Sequence, residues 1–134
     1  MEILVEYLGA AQFEITARKH KIVSDQPLEN GGDDEGMTPP ELLLASLGSC
    51  AAYYAVDYLK RNNLPKDAVN VRVTAEKVKG PFRLDNFKIE VDVAEDLKPE
   101  QLTGIHEAVR RCLIHNTLLH PPNMEVAIRQ AVGA

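Results

Sequence analysis

A chain of 134 residues is long enough to bury a real core and is expected to form one domain. Its 45% hydrophobic and 26% charged residues are ordinary for a soluble globular protein, and a net charge of -5 argues against a nucleic-acid partner, which needs a basic face to neutralise phosphates. Two cysteines are too few for a disulfide framework, and the start Met1-Glu2-Ile3-Leu4-Val5 lacks the basic residues of a signal peptide, so a cytoplasmic protein is the expectation.

Ile3, Val5 and Tyr7 alternate with Glu2, Leu4 and Glu6, and after Gly9-Ala10 the alternation resumes with Phe13, Ile15 and Ala17. Period two around a glycine turn predicts a β-hairpin. Arg18-Lys19-His20-Lys21 reads as a second turn, followed by a short strand at Ile22-Val23-Ser24. From Asp25 to Gly36, Pro27, Asn30, three glycines and a run of acids predict a mobile surface loop.

Thr38-Pro39-Pro40-Glu41 is a helix start: Thr38 can cap orphan amides, proline suits the first helical position, and Glu41 completes a capping box. The helix should run to Asn62 or Asn63, where Asn-Asn-Leu-Pro stops it. Its stretch Leu42 to Val56 holds 15 residues without a charge, short of the roughly 20 that span a bilayer, so no membrane is expected and the rest of the fold or a partner must enclose it.

Val69, Val71, Val73 and Ala75 form a strand pattern, and so do Phe87, Ile89, Val91 and Val93 beyond Lys79-Gly80-Pro81. Each has one polar face, as in an antiparallel sheet covered on one side. Pro99 starts a second helix with an apolar stripe of Leu102, Ile105, Val109, Cys112 and Leu113, and after His120-Pro121-Pro122 a last strand is expected to carry Met124, Val126 and Ile128. The order predicts an α+β fold, an antiparallel β-sheet with two main helices on one face.

Two readings are open for Cys50 and Cys112. They are a redox pair, in which one thiolate becomes a sulfenic acid and the other condenses with it, or they are small apolar core residues. The first requires the sulfurs to meet, with Cα atoms within about 7 Å. It also requires a cation, because Cys50 lies mid-helix where the dipole does not lower its pKa and apolar surroundings raise it. Arg18 is the best candidate, being always charged and able to fork to a thiolate and a carboxylate together. Glu41, explained by the capping box, can also orient an arginine. No metal site is expected: His115 and His120 fall on different helix faces, and no cysteine has zinc-finger spacing. A Cys–His pair through His115 lacks an evident orienting residue.

The segment Gly36-Met37-Thr38-Pro39-Pro40-Glu41-Leu42-Leu43-Leu44-Ala45-Ser46-Leu47-Gly48-Ser49-Cys50 resembles the signature of the OsmC/Ohr superfamily, osmotically inducible protein C and the organic hydroperoxide resistance proteins. So does Cys112-Leu113-Ile114-His115-Asn116-Thr117-Leu118. The resemblance implies one OsmC-like domain over residues 1–134 and an interlocked homodimer wrapped around its central helices. It implies cofactor-free, thiol-dependent reduction of organic hydroperoxides, with Cys50 peroxidatic, Cys112 resolving, Arg18 the activating arginine, Glu41 its carboxylate, and a dithiol such as a lipoyl protein as reductant. Glu41 precedes Cys50 by nine positions where the well-established peroxidases have ten, and Leu113 replaces a common proline; both place the chain in a divergent OsmC-like branch. The alternatives are a catalytically silent module that binds a small apolar ligand, and a redox enzyme acting on another sulfur compound.

Overall fold

In the computed structural model, which describes residues 1–131, the longest element is helix α1 (Pro39–Arg61). Its start is the capping box. The Glu41 N–H donates to Thr38 Oγ1 at 3.4 Å, and the Thr38 N–H donates back to Glu41 Oε1 at 2.9 Å. Two orphan donors are thereby satisfied, while Pro39 and Pro40 have no N–H to leave unpaired. The helix ends where Asn62 donates both its backbone N–H and its side-chain amide to the Tyr58 carbonyl, before Asn63 turns left-handed at φ 52°.

Leu47, Ala51, Ala55 and Leu59 recur every four residues along α1 and are buried. This stripe lies against the strands β4 (Asn70–Val78) and β5 (Arg83–Asp92) and the helix α2 (Pro99–Arg110). Small residues in the stripe let backbones approach. At Gly104 on α2, an added Cβ would collide with the Tyr58 hydroxyl on α1. Around Ala51, Ala55, Leu59, Ile105 and Val109 pack Val69, Val71, Ile89, Val91 and Val93 from the inner face of the β4–β5 hairpin. Burying a side chain such as Leu59 contributes about 2 kcal/mol. The outward residues Arg72, Thr74, Lys88 and Glu90 are exposed, so the hairpin has the expected single polar face.

The strands β1 (Leu4–Gly9), β2 (Gln12–Ala17) and β3 (His20–Ser24) form a separate antiparallel meander. The fold is thus α+β as expected, with its strands divided between two sheets. Register places Val5, Ile15 and Ile22 in one cross-strand row, and Tyr7, Phe13 and Ser24 in the next, on the same face. That face is apolar, yet Val5, Tyr7, Phe13 and Ile22 are exposed, because among the described residues no helix packs across it.

Three sequence expectations change. The second helix breaks at Cys112 and resumes as α3 (Leu113–Leu119), so Leu113 leaves the apolar stripe and is exposed. The segment around Met124, Val126 and Ile128 pairs with nothing among the described residues and is irregular at 121–131. Finally, α1 as a whole is long and apolar enough to cross a bilayer by length and composition, which its uncharged run alone was not. Of its residues, Leu47, Ala51, Ala55 and Leu59 are buried against β4, β5 and α2.

Candidate functional site

Cys50 occupies the middle of α1, half-buried beside the stripe residues Leu47 and Ala51. Cys112 sits at the joint between α2 and α3 and is fully buried. The chain breaks there because Cys112 takes an extended conformation, φ -57° and ψ 131°, after its N–H closes the last turn of α2 on the Val109 carbonyl at 3.1 Å. Its own carbonyl accepts from Asn116 at 3.0 Å and starts α3. The break brings its Cα to 6.0 Å from that of Cys50, and the two are joined as a disulfide. That separation is in the range such a bridge requires. Of the two open readings, packing residues or a pair that meets, the geometry is that of the pair.

The other two site residues lie elsewhere. Arg18 forms the turn between β2 and β3 with a left-handed φ of 55°. It is exposed, and among the described residues it makes no ion pair and does not reach Cys50 or Glu41. Glu41 accepts hydrogen bonds from the backbone and the hydroxyl of Thr38, the latter at 2.8 Å. Those bonds, the backbone one foremost, outweigh a small burial effect and hold its carboxyl below the ordinary carboxylate range. Glu41 is therefore an anion at neutral pH.

Two further features bear on the site. The loop expected to be mobile is organised around Asp25, whose side chain is 1% exposed. Its carboxylate accepts backbone N–H groups from Gln26 at 2.7 Å, Asp33 at 3.3 Å and Glu35 at 3.1 Å, and the Gln12 amide at 3.0 Å. Burial alone would raise this carboxyl; the bonds from Gln26, Glu35, Gln12 and Asp33 together outweigh it and lower the pKa. Gly32 and Gly36 allow the convergence, since a Cβ at either would strike the backbone of Gln26 or Val23. An Asp followed by closely spaced glycines was the available signal. The loop matters to the site because Asp25 donates its N–H to Met37 O at 3.2 Å, fixing the entry into α1.

The second feature is His115, whose Nδ1 is buried without a hydrogen-bond partner. It lines an open groove of about 500 Å3 between β5 and the α2–α3 pair. Leu47 and Val109 also line the groove, each one helical turn before a cysteine, so the groove borders the disulfide.

Among solved structures, a proposed osmotic stress induced and detoxification response protein from Psychrobacter arcticus superposes with a TM-score of 0.79 at 21% identity, covering 89% of this chain and 88% of that one. An OsmC-like protein from Mycoplasma pneumoniae gives 0.78 at 18% identity, covering 90% and 87%. An organic hydroperoxide resistance protein OsmC from Legionella pneumophila gives 0.65 at 16% identity, covering 90% of each. At these identities the likeness is one of fold. No curated protein matches the chain. The family model for OsmC-like protein matches residues 32–127, from the loop glycines through α1, both cysteines and the segment after α3. With the paired cysteines and the α+β architecture already in place, that match over most of its length makes this chain a member of the OsmC-like protein family.

Proposed function

We propose that this chain is a cytoplasmic, homodimeric, cofactor-free thiol peroxidase of one OsmC-like domain that reduces organic hydroperoxides. The observation that carries the reading is the bond between Cys50 and Cys112. A chain of family type with two thiols at bonding distance can pass between dithiol and disulfide, and so can move two electrons. The Cys50 thiolate attacks the terminal peroxide oxygen. The O–O bond breaks, the alkoxide takes a proton and leaves as alcohol, and Cys50 becomes a sulfenic acid. Cys112 then attacks that sulfur, the S–S bond forms, and water leaves. A dithiol, such as a reduced lipoyl protein, restores both thiols by exchange and becomes a disulfide itself.

A mid-helix thiol in apolar surroundings needs a cation to ionise. Arg18 is the candidate, and a second copy supplies it, because in its own chain it stands on an exposed turn away from the helices. Glu41, ionised and open on one side, would hold the guanidinium in place. The exposed apolar face of β1–β3 supports the same dimer, as patches of this kind mark interaction sites.

Single-turnover exposure of the reduced protein to cumene hydroperoxide tests the reading. Peptide mass spectrometry should show a Cys50–Cys112 link, with one equivalent of cumyl alcohol per site. Cys50→Ser should consume no peroxide. Peroxide consumption without that link, or undiminished consumption by the serine variant, overturns the mechanism.

A further inference from the structure

The joint between α2 and α3 rests on one backbone torsion. Arg111, at φ -86° and ψ 5°, lies close to the helical region. Cys112 has a helical φ of -57°, and only its ψ of 131° departs from the helical value of about -42°. Nothing in the local sequence demands the departure, since residues 110–119 contain no proline or glycine. The broken form also leaves bonds unmade. Cys112 is the N-cap of α3, and its side chain makes no capping hydrogen bond. The N–H groups of Leu113, Ile114 and His115 are thus the orphan donors of an uncapped helix. In an unbroken helix they would donate to the carbonyls of Val109, Arg110 and Arg111.

The apolar pattern favours the unbroken form as well. With the break in place, Leu113 and Leu119 are 61% and 64% exposed. On a helix continued from α2 they turn onto the stripe of Ile105, Val109 and Cys112. That stripe has a surface to follow, because α2 runs antiparallel to α1. Gly104 abuts Tyr58, and eight residues later on α2 Cys112 meets Cys50, eight residues earlier on α1. Seven residues further, Leu119 would come abreast of Leu43, which is half-buried near the start of α1. What opposes fusion is the bond to Cys50, which pins Cys112 against α1 at a Cα separation of 6.0 Å.

We infer that the α2–α3 joint is a redox-governed hinge. The disulfide holds Cys112 extended and the helix broken; reduction lets its ψ turn helical and fuses α2 and α3 into one helix from Pro99 to Leu119. Opening takes two electrons and two protons from a dithiol, which leaves as its own disulfide, while the S–S bond breaks and two thiols form. Leu118 and Leu119 line the groove beside β5, so the swing of α3 reshapes it, and the two redox forms present different apolar surfaces. The inference rests on the thiol pair of the proposed function and names the element that reports its state.

The test uses nuclear magnetic resonance on the full chain labelled with carbon-13 and nitrogen-15. The oxidised protein is compared with the protein reduced by tris(2-carboxyethyl)phosphine, which becomes its oxide with oxygen from water, and thiol titration confirms that both cysteines are free. Reduction should slow exchange of the Leu113, Ile114 and His115 amides by about tenfold or more. Overhauser contacts from the Arg110 Hα to the Leu113 N–H, and from the Arg111 Hα to the Ile114 N–H, should appear with it. Cys50→Ser should show the same signals without reductant. Leu113→Pro should show them in neither state, because proline has no N–H and bars residue 112 from the helical region. Free thiols with neither the contacts nor the slowed exchange overturn the inference and leave the peroxidase reading standing. Fusion on phosphine reduction, in a protein whose disulfide cumene hydroperoxide does not close, supports the inference and removes that reading instead.

Discussion

The N-terminal meander and the α1–β4–β5–α2 unit use the same residue types to opposite ends. In the second, Val71, Ile89 and Val91 turn inward onto Ala51, Ala55 and Leu59, and a core results. In the first, Val5, Tyr7, Phe13 and Ile22 line up equally well in register on one face and remain in solvent. Local patterning is equally good in both, so patterning alone does not decide burial. What differs is whether the same chain supplies a helix to lie across the face. The meander holds together through its ladder and through contacts such as the Tyr7–Phe13 ring pair at 5.4 Å, and waits for a surface.

The largest blow to one side of this contrast is Leu59→Ala. Leu59 is fully enclosed, and the truncation should cost about 2–5 kcal/mol, read as a fall in the denaturant midpoint at unchanged m-value. An intermediate effect belongs to the join between the two regions and appears in acid. The Asp25 pKa is lowered in the fold, so its carboxylate contributes stability that is fully present above the unfolded value, near the ordinary 3.8, and is lost as pH falls through the lower folded value. Asp25→Asn should flatten that acid limb in a thermal-melt pH series; an unchanged slope would mean the carboxylate does not organise the loop. The smallest effect on the chain's own fold is Ile22→Lys, within about 0.5 kcal/mol because the residue is half-exposed. The same substitution should abolish self-association in sedimentation, and a dimer that survives it would place the interface elsewhere.

How far the sequence carried the structure follows the same division. The start of α1 was legible because a capping box is a local device, complete within Thr38 to Glu41. The hairpins were legible because period two and a left-handed turn residue are local as well. The break before Cys112 was not, since Arg110-Arg111-Cys112-Leu113 carries no proline or glycine and the stripe runs on through it. Only the approach of α1 rewards turning that side chain away from the helix. The Asp25 loop was misread for a related reason. Its acids and glycines look solvent-loving until Gln12, from a different strand, is placed beside the carboxylate. For the site, sequence named the pair that bonds, whereas Arg18, the arginine it offered beside them, stands on an exposed turn of the meander and makes no ion pair among the described residues.

The disulfide has a consequence for folding apart from any turnover. It ties together residues 62 positions apart, so the ring it closes contains β4, β5 and all of α2. In the chain-entropy account, closing a ring of that size removes about 4 kcal/mol of freedom from the unfolded chain. That is a large share of the ~5–15 kcal/mol by which domains are stable at all. The oxidised chain is then the rugged form and the dithiol the yielding one. Each electron pair delivered to the sulfurs loosens the helix that holds them, and the melting temperature becomes a gauge of redox state.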